Sequence, residues 1–147
     1  MNAKLAVAIV GTMAMGATGS SGTLAAQEAR SQWDGVYTLE QAARGESLFA
    51  AKCSSCHGPD LNGGEMAPGL VGGNFTSNWN DLTLGDLFER IRISMPQNDP
   101  GSLSRQENAD ILAFMLRKGS YPAGEAELPA RTEMLNMYKF VAMKPEK

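Results

Sequence analysis

Two cysteines and one histidine are all that this chain of 147 residues contains of those residue types, and they fall together as Cys53-Ser54-Ser55-Cys56-His57. Random placement would produce that order on the order of once in ten thousand chains. A disulfide between cysteines three apart closes a very small loop and staples little. A dithiol redox site needs the pair inside a βαβ pattern, which is absent, and a zinc site needs four ligands where only three Cys or His exist. The order C-x-x-C-H reads instead as covalent c-type haem attachment. Two thiols add across the vinyl groups as thioethers, and the adjacent imidazole of His57 is set against the iron from one side. Such a chain can use an apolar cofactor face where protein core is missing.

The amino terminus reads as a cleaved secretory leader over residues 1–26. Lys4 supplies the positive region, Leu5-Ala-Val-Ala-Ile-Val10 starts the apolar run, and small residues lead to Ala25-Ala26 before the polar Gln27-Glu28. Leu5 to Met15 is too short and too rich in Ala and Gly for a membrane span, which takes about 20 apolar residues. Its removal leaves 121 residues, suited to one domain, and takes the net charge from −3 to −4 by loss of Lys4. An acidic chain without a basic stripe argues against nucleic acid as a partner. The expected location is the periplasm, with no integral membrane segment in the mature chain.

Three helices follow from apolar spacing and caps, and the expected fold class is all-α. The first spans Leu39 to Cys53, with Thr38 and Gln41 as a capping box and Leu39, Ala42, Ala43 and Phe49 on its apolar side. Gly45 interrupts it, which suggests close packing of another helix. The second spans Leu84 to Ile93, with Thr83 as cap and Leu84, Leu87, Phe88 and Ile91 at helical spacing. The third spans Arg105 to Lys118, with Ser104 and Glu107 as a capping box and Gly119 as the C′ residue. Gly58 to Asn80 reads as one long Gly/Pro/Asn-rich loop, reasonable if it wraps a cofactor. Arg131 to Phe140 is a candidate short helix, and no period-2 strand stands out.

With His57 committed to one side of the iron, bis-histidine ligation by this chain is excluded. Six methionines lie beyond the leader: Met66, Met95, Met115, Met134, Met137 and Met143. A thioether favours ferrous iron and raises the potential. Met66 lies in the loop most easily placed on the His57 side, Met115 reads as core on a helical face, and the other three belong to the tail. Met95 ends a helix, and Pro96 forces it into an extended turn from which its sulfur can project onto the far face. Met95 is therefore the expected second ligand.

Several elements together resemble a class I c-type cytochrome over Trp33 to Gly119. They are Thr38-Leu-Glu-Gln-Ala-Ala-Arg-Gly45, Cys53 to Leu61, Gly63-Gly-Glu-Met-Ala-Pro-Gly-Leu70, Asp86-Leu-Phe-Glu-Arg-Ile91, and Met95-Pro96 with Pro100-Gly101. Within that class the chain is similar to the monohaem cytochromes, and cytochrome domains, associated with PQQ-dependent alcohol dehydrogenases. The resemblance implies the class I cytochrome c fold, three main helices plus long loops around one covalent haem c. Residues 27–124 would form the cytochrome domain and 125–147 a C-terminal extension outside the class I pattern. It also implies that Gly45 and Phe49 meet the last helix at Phe114, and that the carbonyl of Pro68 accepts a hydrogen bond from the His57 Nδ1. Leu70 would pack on the haem face and Trp79 donate its indole N–H to a propionate, while Trp33 and Tyr37 pack at the start of the domain.

A six-coordinate His/Met iron has no open site for substrate, so the expected function is electron carriage rather than catalysis. Its partners would be redox proteins, such as a donor dehydrogenase and an acceptor oxidase or another cytochrome. The alternative is the haem-bearing subunit of a periplasmic oxidoreductase complex, for example a quinoprotein dehydrogenase. A Ser/His/Asp arrangement is excluded because the one histidine is on iron. A five-coordinate gas sensor or peroxidase is disfavoured, since gas-binding four-helix cytochromes carry the attachment motif near the carboxyl terminus.

Overall fold

A computed structural model describes residues 30–146, so the expected leader lies outside the described residues. In chain order the elements are β1 (Arg30–Ser31), a single 3-10 turn (Gln32–Asp34), α1 (Leu39–Lys52), α2 (Ser54–His57) and α3 (Gly72–Trp79). They continue with α4 (Leu84–Ser94), α5 (Arg105–Lys118), α6 (Thr132–Leu135) and β2 (Tyr138–Lys139). The three expected helices are α1, α4 and α5, with ends within one residue of those that the spacing and caps predict.

Two differences concern caps. Thr38 accepts a hydrogen bond from the Gln41 N–H at 3.1 Å, but the Gln41 side chain does not reciprocate. It is buried and holds both backbone groups of Leu128: its Nε2 donates to the carbonyl at 3.1 Å and its Oε1 accepts from the N–H at 2.7 Å. Full capping boxes form at Ser104–Glu107 and Thr83–Asp86, and at Ser31–Asp34 on the 3-10 turn. At the end of α5, Gly119 is the C-cap and has φ of −75°, so the left-handed position falls on Ser120 at +65°. The Ser120 and Tyr121 N–H groups bond back to Arg117 and Leu116, which closes a Schellman motif. What requires glycine at 119 is the Tyr121 ring, 2.7 Å from where a Cβ would stand.

The crossing of α1 on α5 sets the frame. A Cβ on Gly45 would lie 1.8 Å from the Asp110 carbonyl oxygen, so the backbones touch there. One turn on, the Phe49 and Phe114 rings pack at 5.4 Å between centroids, as the class I resemblance implies. Arg44 forks onto the buried Asp110 at 2.9 and 3.0 Å and reaches Glu127 at 2.9 Å.

The stretch expected to be loop from Gly58 to Asn80 contains α3. Its Gly-Gly start gives no helix signal, and none of its residues is fully buried; the half-buried Phe75 and Trp79 supply its packing instead. Phe75 and Trp79, four residues apart, share a face, and the Phe75 ring stands edge-on to Phe140 at 6.0 Å.

The tail is helical only over Thr132–Leu135 and then extended, with β2 pairing in parallel with β1. Its Leu128, Leu135 and Phe140 are as buried as any residue in the protein. Gln32 repeats the Gln41 device on Val141, donating to its carbonyl at 2.6 Å and accepting from its N–H at 3.0 Å. Trp33 Nε1 donates to the same carbonyl, and the buried Tyr37 hydroxyl donates to the Tyr121 carbonyl at 2.8 Å. Among the described residues, no helix is long and apolar enough to cross a membrane.

Candidate haem-binding cleft

The motif begins where α1 ends. Cys53 is the C-cap, its N–H bonded to the Phe49 carbonyl at 2.9 Å, and its own carbonyl accepts from the N–H groups of Cys56 and His57. That turn, α2, packs both thiols and the imidazole onto one short arc. The thiols are free and half-buried. Burial, with Cys56 adding to it, pushes the Cys53 thiol up to about 11. A disulfide-exchange site needs the opposite, a thiol lowered toward neutrality.

The chain after His57 folds back on itself. The Gly63 N–H bonds to the His57 carbonyl at 2.8 Å and the Leu70 N–H to the Leu61 carbonyl at 2.7 Å. Gly63 lies at φ +76°, with Gly69 too close to admit a Cβ. This return brings the Pro68 carbonyl 2.8 Å from His57 Nδ1. A carbonyl can only accept, so Nδ1 carries the hydrogen and Nε2 of the neutral ring keeps its lone pair. The ring is buried, 7% exposed, and its orientation is fixed by that bond.

His57 opens onto a cleft of about 1440 Å³. Clefts for small molecules usually fall near 300–1,000 Å³, so this one suits a large ligand. All seven residues singled out from the sequence line it: Cys53, Cys56, His57, Pro68, Leu70, Trp79 and Met95. Met95 is the C-cap of α4, extended at φ −126° and ψ 153°, with its N–H on the Ile91 carbonyl. Met66 and Met115 also line the cleft. Met66 is 77% exposed at its edge, and Met115 is buried on α5. Met134, Met137 and Met143 do not line it.

Phe75, Leu87, Ile91, Asn78 and Arg90 line the cleft too, although no motif in the sequence marks them for it. A signal exists for two of them. Leu87 and Ile91 precede Met95 at steps of four, which places all three on one stripe of α4. Phe75 and Asn78 sit on α3, the helix without a sequence signal.

The residues present fit a haem. Two free thiols beside an oriented imidazole stand at a cleft of mixed lining, whose apolar part includes Leu70, Phe75, Leu87 and Ile91, and Met95 lines it from a different element. The fold is the class I cytochrome c fold. The family described as "Cytochrome C oxidase, cbb3-type, subunit III" matches residues 40–115, and the chain belongs to that cytochrome c family.

The chain is 34% identical over 100 residues to a protein of Corynebacterium efficiens named cytochrome bc1 complex cytochrome c subunit, covering 64% of this chain and 32% of that one. It is 26% identical over 96 residues to a cytochrome c of Nigella damascena, covering 50% of this chain and 86% of that protein. Among solved structures it is similar to the sulfane dehydrogenase SoxCD from Paracoccus pantotrophus. That match is 27% identical with a TM-score of 0.45, over 60% of this chain and 53% of the other. The chain thus spans about a third of the Corynebacterium protein and about half of the SoxCD chain. Membership of the family implies haem c and electron transfer.

Proposed function

We propose that this protein is an exported monohaem cytochrome c that carries single electrons in the periplasm. Cys53 and Cys56 would hold the haem through thioethers, and His57 and Met95 would ligate its iron. The observation that carries this reading is the lining of one large cleft by Cys53, Cys56, the Pro68-oriented His57 and Met95. When bound, the haem supplies a one-electron couple whose potential follows from its ligands, burial and hydrogen bonds. The Pro68 carbonyl keeps the proton on Nδ1 and raises the basicity of Nε2. Leu70, Leu87 and Ile91 exclude water, and Trp79 supplies an indole N–H suited to a propionate. Export rests on residues 1–26 of the sequence.

The test is absorption spectroscopy of the exported protein beside Met95→Ala. A low-spin spectrum with a long-wavelength iron–thioether band, lost in the variant, is the expected result. Retention of the band would eliminate Met95 and bring forward Met66 or Met115. Replacement of Cys53 or Cys56 should leave one thioether or none.

A second reading, the haem-bearing subunit of an oxidoreductase complex, is favoured by the Corynebacterium relative being named as a subunit. The sequence resemblance points to a PQQ-dependent alcohol dehydrogenase as such a complex. Mild extraction separates the readings: a free monomer counts against the complex.

A further inference from the structure

The C-terminal extension lies outside the class I pattern, yet it supplies the backing of one cleft wall. Phe140 is fully buried and pairs by its backbone with the link between α3 and α4. Its N–H donates to the Leu82 carbonyl at 2.7 Å, and its carbonyl accepts from the Asp81 N–H at 2.8 Å. Its ring meets Phe75 edge-on at 6.0 Å and Tyr121 at 5.6 Å. Phe75, Trp79 and Leu82 line the cleft, while Phe140 stands one layer behind. There it borders a second cavity of about 280 Å³, which shares Leu70, Phe75, Leu87 and Met115 with the cleft. The Gln32 amide pins the next residue, Val141, and Ala142 N–H bonds to Asn80 Oδ1 at 2.7 Å.

Resting on the reading of this cleft as a haem site, we propose that Phe140 is a positioning residue for electron transfer. It holds the Phe75–Leu82 wall closed and so keeps water from that side of the haem. The physical link is charge. Ferric iron carries one more positive charge than ferrous, and water admitted through the second cavity stabilises the ferric state. Loosening the wall therefore lowers the reduction potential. Local opening would also free the Asp81 N–H, whose acceptor is the Phe140 carbonyl.

The experiment compares Phe140→Ala with Leu128→Ala in the haem-loaded protein. Leu128 is 1% exposed and lines neither cavity, so its truncation costs stability without touching the wall. Phe140→Ala should lower the midpoint potential and speed hydrogen exchange at Asp81 by about tenfold or more. Leu128→Ala should lower the thermal midpoint and keep the wild-type potential, and Phe140→Leu should recover most of the shift. Equal potentials in the two alanine variants would overturn the proposal. If Phe140→Ala retains no haem, Gln32→Ala takes its place, since it leaves the ring but removes both amide bonds to Val141, whose carbonyl keeps only the Trp33 indole. That variant should also lower the potential and speed exchange at Asp81, and a wild-type potential in it would equally overturn the proposal. A wild-type protein that takes up no haem would instead refute the haem reading itself.

Discussion

Gly45→Ala sets two physical effects against each other with opposite signs. In an exposed helix the change stabilises by about 1 kcal/mol, because alanine loses less backbone entropy on folding. Here the new methyl group would stand 1.8 Å from the Asp110 carbonyl oxygen and 2.4 Å from its carbon, both backbone atoms of α5. Relief requires α1 and α5 to part by roughly 1.5 Å, since such atoms do not pack closer than about 3.4 Å. Overpacking of this kind costs about 1–3 kcal/mol. The separation also strains the Phe49–Phe114 contact, where an aromatic pair contributes about 0.5–1.5 kcal/mol beyond its burial. The balance is a loss of about 0.5–3.5 kcal/mol. Urea unfolding of the haem-loaded protein should show a lower midpoint at unchanged slope. A variant as stable as wild type, or more stable, would refute the crossing as described, because propensity alone predicts a gain.

Three further outcomes follow from the same contacts. Gln41→Leu removes both partners of the Leu128 backbone, and two buried polar groups left unpaired should cost about 2–4 kcal/mol in the same unfolding assay. Asp86 accepts hydrogen bonds from the Thr83 hydroxyl and backbone N–H, which hold its carboxyl below the usual range. A lowered carboxylate stabilises the fold above its unfolded pKa and loses that contribution as pH falls through the folded value. Asp86→Asn should therefore lower the thermal midpoint at pH 7, and the difference should close in acid below the ordinary Asp value of 3.8. Thr83→Ala, which deletes the cap itself, should cost about 1 kcal/mol by urea unfolding at pH 7.

The parts of this protein legible in its sequence are those governed by neighbours along the chain. Thr83, Ser104 and the apolar stripes of α4 and α5 act within one or two turns, so their caps and ends can be read directly. Cys53, Cys56 and His57 are legible for the same reason, being fixed by covalent spacing. Gln41 shows the failure of that logic: its position suits a capping box, but a backbone 87 residues away competes for its amide and wins. The helix α3 starts on two glycines and is held by Phe75 and Trp79 against Phe140, a contact that no local window contains. Leu128 and Leu135 are seven apart but no helix joins them, and Phe140 follows an extended stretch, so the burial of the tail leaves only the short helix as its signature. Trp79 apart, the Phe75–Leu82 side of the cleft is hidden from the sequence, because α3 forms it and the tail backs it from behind.

The pairing of Gln32 with Val141 spans 109 residues. Loop closure over that span is entropically costly, and contacts of such separation slow folding. The residues at 30–33 cannot reach their final positions until Val141 has come into place. The α1–α5 crossing uses none of these residues, but Gln32, Trp33 and the Asp81–Leu82 backbone have no partners until Phe140 and Val141 dock. The two ends of the described chain thus become ordered as one unit, and the separation of its partners along the chain makes that unit slow to form.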